Sequence, residues 1–349
     1  MNLLYTTDMN FLPQTAAGIA SVCENNRRER VIRFYVFCLN VPPSEQQKLS
    51  EMVKAYEIEE NRFSDNPPGR TGKKITGEAH KKVLRQVIFT DLEEIGQYFD
   101  FDVDTAGWNP IVLARLLPDR LLPEEVHRVI YLDGDTIVRR SLRPLWKTDM
   151  KGCAVGAAPE PTCSLRRKAA LGLAGKPYCN AGVLLIDLDA WRKQETGRQI
   201  LDYYRENGGH LFANDQDAIN GSQKDSLYIL SGTWNYHNTY DIYRYRLLRK
   251  NCDYPVPSGR EVAAFRRNPH IVHFLGEERP WRAGCPHRFT GEYHRYLALT
   301  PWKDQPDEDG WQTYFFCWKI FNRVMRPFPL FRCYIINTLM PLMLRHRHR

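Results

Sequence analysis

The chain reads as an α/β protein built on a largely parallel sheet. Three observations predict this. Short apolar runs rich in β-branched and aromatic residues recur along it, helix-like segments separate them, and 349 residues suffice for about two domains or one large one. Strands covered on both faces read as unbroken apolar runs rather than as alternation. A 43% hydrophobic and 26% charged composition excludes a disordered chain, a collagen and a multi-span membrane protein. No run reaches the roughly 18–20 apolar residues of a spanning helix.

The elements follow in order. Residues 1–7 (MNLLYTT) and 31–39 (VIRFYVFCL) are the first two strands. Pro42-Pro43 opens a helix expected over 44–56, where Ser44 and Gln47 have capping-box spacing. Residues 61–85 hold Pro67, Pro68, three glycines and seven Lys or Arg, and read as a loop followed by a basic helix from about Gly77. The GRTGKKIT within them fails as a phosphate loop, because Pro67 stands where the first glycine is required. Further strands are expected at 87–90 (VIFT), 129–132 (VIYL), 179–187 (CNAGVLLID), 227–230 and 270–274 (HIVHF). Residues 301–310 (PWKDQPDEDG) read as an acidic linker.

Nine scattered cysteines without a C-x-x-C argue against a disulfide framework or structural zinc, and for reduced thiols in the cytoplasm. Residues 1–11 lack the basic stretch and apolar run of a secretory signal. The net charge of +8 sits in the tail: residues 311–349 carry seven Lys or Arg and no acid, leaving +1 for the first 310. Aromatic and aliphatic residues interleave with those cations. Pro327, Pro329 and Pro341 are expected to break any long helix there, and the longest apolar run is too short to span a bilayer. The tail suits an interfacial anchor on an anionic leaflet, with packing on the catalytic domain as the alternative. No binding fold accompanies the charge, so nucleic acid is not an expected partner.

Six D-x-D pairs occur, at 100/102, 102/104, 133/135, 187/189, 215/217 and 307/309. Asp133 and Asp135 directly follow an apolar strand and precede another apolar pair, so a turn can aim both at one hard cation such as Mn²⁺ or Mg²⁺. Asp187 and Asp189 also end a strand and are the main rival. A haloacid-dehalogenase-type phosphatase fits poorly, because Thr136 comes one residue early for D-x-D-x-T and three strands precede the motif.

Several segments in order make the pattern specific: YTTDMNF (5–11), LARL (113–116), YLDGDTIV (131–138), NAGVLLIDL (180–188), NDQDAIN (214–220), WNYH (234–237) and HFLGEERPW (273–281). Over residues 1 to about 295 the chain resembles glycosyltransferase family 8, in particular bacterial lipopolysaccharide galactosyl- and glucosyltransferases. The resemblance implies a GT-A fold for a catalytic domain at 1–300, followed by the 301–310 linker and the 311–349 tail. It implies Mn²⁺, or else Mg²⁺, on Asp133, Asp135 and His273, holding the diphosphate of a UDP-hexose. Thr7, Asp8 and Asn10 then belong to the nucleoside site, and Gly134 to the residues that bind the donor. Arg115 and Asn180 go to the donor sugar, and Asp215 and Gln216 to the reaction centre. Residues 106–109 fall where the family has a lid. Gly276 allows close approach to phosphate. Arg279 stands where the family has lysine, so the phosphate contact differs in geometry.

The implied reaction is retaining transfer of glucose or galactose to a hydroxyl of a glycan or glycolipid, such as lipopolysaccharide core or capsule, by a cytoplasmic enzyme peripheral on the inner membrane face. Gln216 is a poor nucleophile, which favours same-face substitution over double displacement. Asp215 and Asp187 remain the carboxylates able to intervene. A catalytically silent glycan-binding protein of the same fold is the alternative.

Overall fold

The computed structural model describes residues 1–57, 83–105, 107–243 and 245–347. The basic helix expected from Gly77 and one member of the lid segment, Ala106, lie outside these residues. Strand β1 (Asn2–Asp8) is central and pairs in parallel with β2 (Val31–Leu39) on one side and β4 (Arg128–Leu132) on the other. β3 (Leu84–Asp91) adds to β2 in parallel. Beyond β4 come β7 (Cys179–Asp187), antiparallel to both its neighbours, then β6 (Val155–Pro159) and the edge strand β8 (Tyr228–Ile229), which pairs with β6 in parallel. The order is β3-β2-β1-β4-β7-β6-β8.

The apolar runs behave as expected of strands covered twice. On β4, Ile130 and Leu132 face the core under helix α1 (Leu12–Asn25), while Val129 and Tyr131 face the opposite core. On β7, Val183 and Leu185 go with the first set and Leu184 and Ile186 with the second. The second core is closed by α3 (Thr196–Glu206) and α4 (Asn214–Ser222).

Helix α2 (Pro43–Lys54) departs from the sequence expectation at its start. Pro43 opens it, Pro42 is the cap residue, and the Ser44–Gln47 box does not form. Proline at the first helical position already supplies a helical φ and lacks the orphan N–H, so the helix begins before Ser44 can cap it. Gln47 instead donates to Glu51 at 2.8 Å.

A separate two-stranded ribbon positions the site. β5 (Thr136–Val138) runs antiparallel to β9 (Ile271–His273), with Thr136 opposite His273. The turn between β4 and β5 holds Asp133, Gly134 and Asp135, so the ribbon delivers His273 to that turn from 140 residues downstream.

Residues 301–310 are tied to the body: the Trp302 indole donates to Glu45 at 3.2 Å, and the Glu308 backbone exchanges hydrogen bonds with Trp281 and Ala283. Two further helices follow, α5 (Gln312–Met325) and α6 (Pro329–Arg347). Phe315, Met325 and Arg332 are buried. Phe316, Ile320 and Val324 form an outward stripe, 64%, 48% and 62% exposed, continued by Phe328, Phe331 and Tyr334. Pro341 does not end α6 as expected; proline's fixed φ is itself helical, so an interior proline removes one hydrogen bond without forbidding continuation. Among the described residues no helix is long and apolar enough to cross a membrane.

Candidate active site

Asp133, Asp135 and His273 converge, each offering one ligand atom within 4.8 Å of the others. His273 Nε2 lies 3.0 Å from Asp135 Oδ1 and 3.7 Å from Asp133 Oδ2. The other ring nitrogen, Nδ1, donates to Asn235 Oδ1 at 2.9 Å. Asn235 is oriented in turn by donating from Nδ2 to Asn180 Oδ1 at 2.8 Å. A ligating imidazole fixed through its far nitrogen is the usual outer-sphere arrangement of metal histidines. Gly182 on β7 leaves the room: a Cβ there would stand 2.1 Å from His273 Cε1 and 2.7 Å from Asp133 Oδ2. Gly134 is required as well, because a Cβ would meet Thr15 Oγ1 at 2.5 Å. Two hard carboxylates, one oriented imidazole and a cradle kept open by glycine fit a divalent cation.

The charges are consistent with that fit. Burial opposes ionisation of Asp135 and His273, yet their pairing outweighs it; the Asp135 carboxyl is held below the usual range and the His273 imidazole above its ordinary value. A proton on Nε2 occupies the direction a cation would take, so binding a cation must expel it. Arg279 approaches the other Asp135 oxygen at 3.9 Å.

Arg115, buried in the 3-10 stretch Pro110–Leu116, joins this centre to the next. It pairs with Asp133 at 2.9 Å and Asp215 at 3.1 Å, and donates to the Ala181 carbonyl at 3.2 Å. Burial pushes the Asp215 carboxyl up to about 6, against the pull of Arg115. Gln216 Oε1 accepts from Ala181 N–H at 3.0 Å, and its Nε2 donates to Tyr178 Oη at 2.8 Å and Glu160 Oε2 at 3.2 Å. The same Glu160 oxygen accepts from Asn180 Nδ2 at 3.0 Å. A continuous hydrogen-bonded path therefore runs from His273 through Asn235, Asn180 and Glu160 to Gln216.

With this geometry in view, a family model described as "Glycosyl transferase family 8" matches residues 2–285. The chain belongs to glycosyl transferase family 8. Among curated relatives, general stress protein A of Bacillus subtilis is 23% identical over 305 residues, covering 86% of this chain and 94% of the relative. A lipopolysaccharide 1,2-glucosyltransferase of Escherichia coli is 21% identical over 314 residues, covering 89% and 81%. Among solved structures, galactosyltransferase LgtC in complex with donor and acceptor sugar analogs superposes with a TM-score of 0.64 at 20% identity, covering 90% of this chain and 99% of that one. The fold of this family 8 chain is thus GT-A, with its mostly parallel seven-stranded sheet.

The structure brings Arg115, Asp133, Asp135, Asn180, Asp215, Gln216, His273 and Arg279 into one cluster. Thr7 and Asp8 end β1 beside it. The Thr7 hydroxyl donates to the Asp8 carbonyl at 3.1 Å; the Asp8 carboxylate accepts from Phe11 N–H at 2.8 Å and Asn109 Nδ2 at 2.6 Å. Asn109 thereby ties the lid segment to the first strand. Asn10 and Gly276 are exposed, and Gly276 has φ +72 with nothing within 4 Å of where a Cβ would stand. Asp187 is not part of the site. β7 runs antiparallel to β4, so Asp187 pairs with Arg128 at the opposite end of the sheet, caps Ala190 N–H and is excluded as a nucleophile.

Gly182, Glu160, Tyr178 and Asn235 escaped the sequence reading. Gly182 and Asn235 lie inside segments singled out above, NAGVLLIDL and WNYH, but their work is to leave space and to orient a neighbour. Only the three-dimensional contacts reveal either.

Proposed function

We propose that the chain is a retaining, metal-dependent hexosyltransferase. It moves glucose or galactose from a UDP-sugar to a hydroxyl of a lipid-linked glycan. The convergence of Asp133, Asp135 and His273 over Gly182 carries this reading. Mn²⁺, with Mg²⁺ as the weaker candidate, suits two carboxylates and an imidazole, and when bound would neutralise charge on the diphosphate.

The chain's own residues do the rest. Arg279 adds a second cation beside Asp135 for the leaving UDP, with Gly276 open for phosphate approach. Asp8, Asn10 and the end of β1 take the nucleoside, and Thr7 sets the backbone there. Arg115, Asn180 and Asp215 hold sugar hydroxyls. Gln216 offers a neutral amide to the anomeric centre. Asp217 is spent on Arg167, Tyr178 and Ala213 N–H. Same-face substitution is the favoured course, with Asp215 the carboxylate still able to intervene: the anomeric carbon–phosphate oxygen bond breaks, the acceptor oxygen bonds on that face, and its proton passes to the departing phosphate.

The E. coli lipopolysaccharide glucosyltransferase among the relatives supports a lipopolysaccharide-type acceptor. Nine free cysteines and a basic, apolar tail support a cytoplasmic enzyme held on the inner membrane face. The domain reading remains a catalytic unit at 1–300 with an attached tail at 311–349. The experiment is UDP release from UDP-glucose and UDP-galactose with Mn²⁺ and with chelator, alongside co-sedimentation with anionic and neutral vesicles. Metal-dependent release with one donor is expected, with tail-dependent binding to anionic vesicles. No release from either donor would leave a silent glycan-binding protein, and equal sedimentation without residues 311–349 would remove the anchor.

A further inference from the structure

We infer that Phe212, backed by Arg167, is the platform on which the acceptor sugar lies. This rests on the transferase reading above and adds a binding site to it. Phe212 stands just before α4, whose first turn carries Asp215 and Gln216. The residue is 42% exposed and stands beside a polar reaction centre.

The ring is nevertheless held. The Arg167 guanidinium lies over it at 4.5 Å and over the Tyr178 ring at 4.8 Å, forming a stack of ring, guanidinium and ring. Arg167 is fixed by bonds of 2.6 Å to Tyr178 Oη and 2.6 Å to Asp217 Oδ1. Tyr178 Oη is also the group that receives Gln216 Nε2. The open face of Phe212 is thus joined to the reaction-centre amide through two intervening side chains. Asp217 neutralises Arg167, so the site offers an apolar ring face rather than an anion pocket.

The order along β7 and the residue just before it places this face on the acceptor side. Gly182 underlies the metal ligands, Ala181 meets Arg115 and Gln216, Asn180 meets Glu160, and Tyr178 meets Arg167. Positions 178 and 182 lie about 13 Å apart by strand rise, which seats the transferred hexose and then an acceptor ring in line from the diphosphate. A pyranose presents one face of C–H groups, the complement of an exposed aromatic face. A second exposed ring, Trp108 at 45%, projects from a loop zipped to the Phe212 segment. The zipper is Asp104 N–H to the Gly209 carbonyl at 2.9 Å and Asn214 Nδ2 to the Thr105 carbonyl at 3.0 Å.

The test uses the full chain, octyl β-glucoside and octyl β-galactoside as acceptor probes, and two assays: sugar transfer, and acceptor-free hydrolysis of the UDP-sugar. Phe212→Ala is expected to raise the acceptor KM at least about tenfold. Donor KM and Mn²⁺ dependence in hydrolysis should stay within twofold, and Phe212→Trp should restore the acceptor KM to within about threefold. An unchanged acceptor KM in Phe212→Ala overturns the inference. So does parallel loss of hydrolysis, which would make Phe212 a packing residue. Wild-type chain that releases no UDP from any donor instead overturns the transferase reading itself.

Discussion

Replacing Gly182 with alanine should remove cation binding while leaving the fold intact. The added methyl would stand 2.1 Å from His273 Cε1, 2.6 Å from Nδ1 and 2.7 Å from Asp133 Oδ2. Carbon atoms settle at roughly 3.5–4.0 Å, so the imidazole must retreat by about 1.5 Å. Ligand positions tolerate displacements of only about 0.2 Å, and that retreat forfeits a ligand. Outer-sphere changes alone cost about 10–100-fold in metal affinity, so a displaced ligand should cost about 100-fold or more. Overpacking of this kind costs about 1–3 kcal/mol, which a domain of this size survives. Calorimetric titration of Mn²⁺ with UDP present, on wild type and Gly182→Ala, reads the affinity, and urea unfolding checks the fold. A folded variant that binds Mn²⁺ within threefold of wild type would refute the assignment of the cradle.

Asn235→Ala frees His273 Nδ1 and should weaken Mn²⁺ binding about 10–100-fold by the same titration, while the buried groups it leaves unpaired should cost about 1–3 kcal/mol in urea unfolding. His237 is fully buried, neither ring nitrogen has a hydrogen-bond partner among the described residues, and burial pushes its pKa down to about 3. The unfolded chain protonates first, near pH 6.5, so stability is full above that pH and falls as pH drops toward 3, by about 1.4 kcal/mol per unit. At pH 5 the loss is about 2 kcal/mol; His237→Phe should lose that much less between pH 7.5 and 5 in urea unfolding, and equal pH dependence would contradict it. Truncation after Gly310 takes away the Trp318 indole, which donates to Glu278 at 2.5 Å, and the Trp311 ring, 3.6 Å from the Arg282 guanidinium. Glu278 neighbours Arg279, so the donor KM should rise several-fold in acceptor-free hydrolysis, and an unchanged KM would show the loop to be independent of the tail.

Much of this fold is legible in the residues because its strands are covered twice. β1, β2, β4 and β7 appear as apolar runs that no surface strand would carry, and the D-G-D turn is marked by the runs on either side. What stays hidden is strand direction and space. Asp187 and Asp133 both end apolar runs, and only the antiparallel β4–β7 pairing sends them to opposite ends of the sheet. Gly182 looks like any strand glycine until His273 is seen filling the volume of its missing Cβ. Asn235 and Glu160 act through contacts with residues 38 and 56 positions away, at which no local pattern hints. The Ser44 and Pro341 expectations fail for one reason: proline's φ is helical, so it starts α2 early and permits α6 to continue.

Anomalous diffraction from crystals grown with Mn²⁺ and UDP locates the cation itself. A single strong manganese peak is expected, ringed by Asp133, Asp135 and His273 Nε2, with the diphosphate completing its shell and Arg279 drawn toward it. A peak elsewhere, or UDP bound with no manganese between those three side chains, would contradict the assignment.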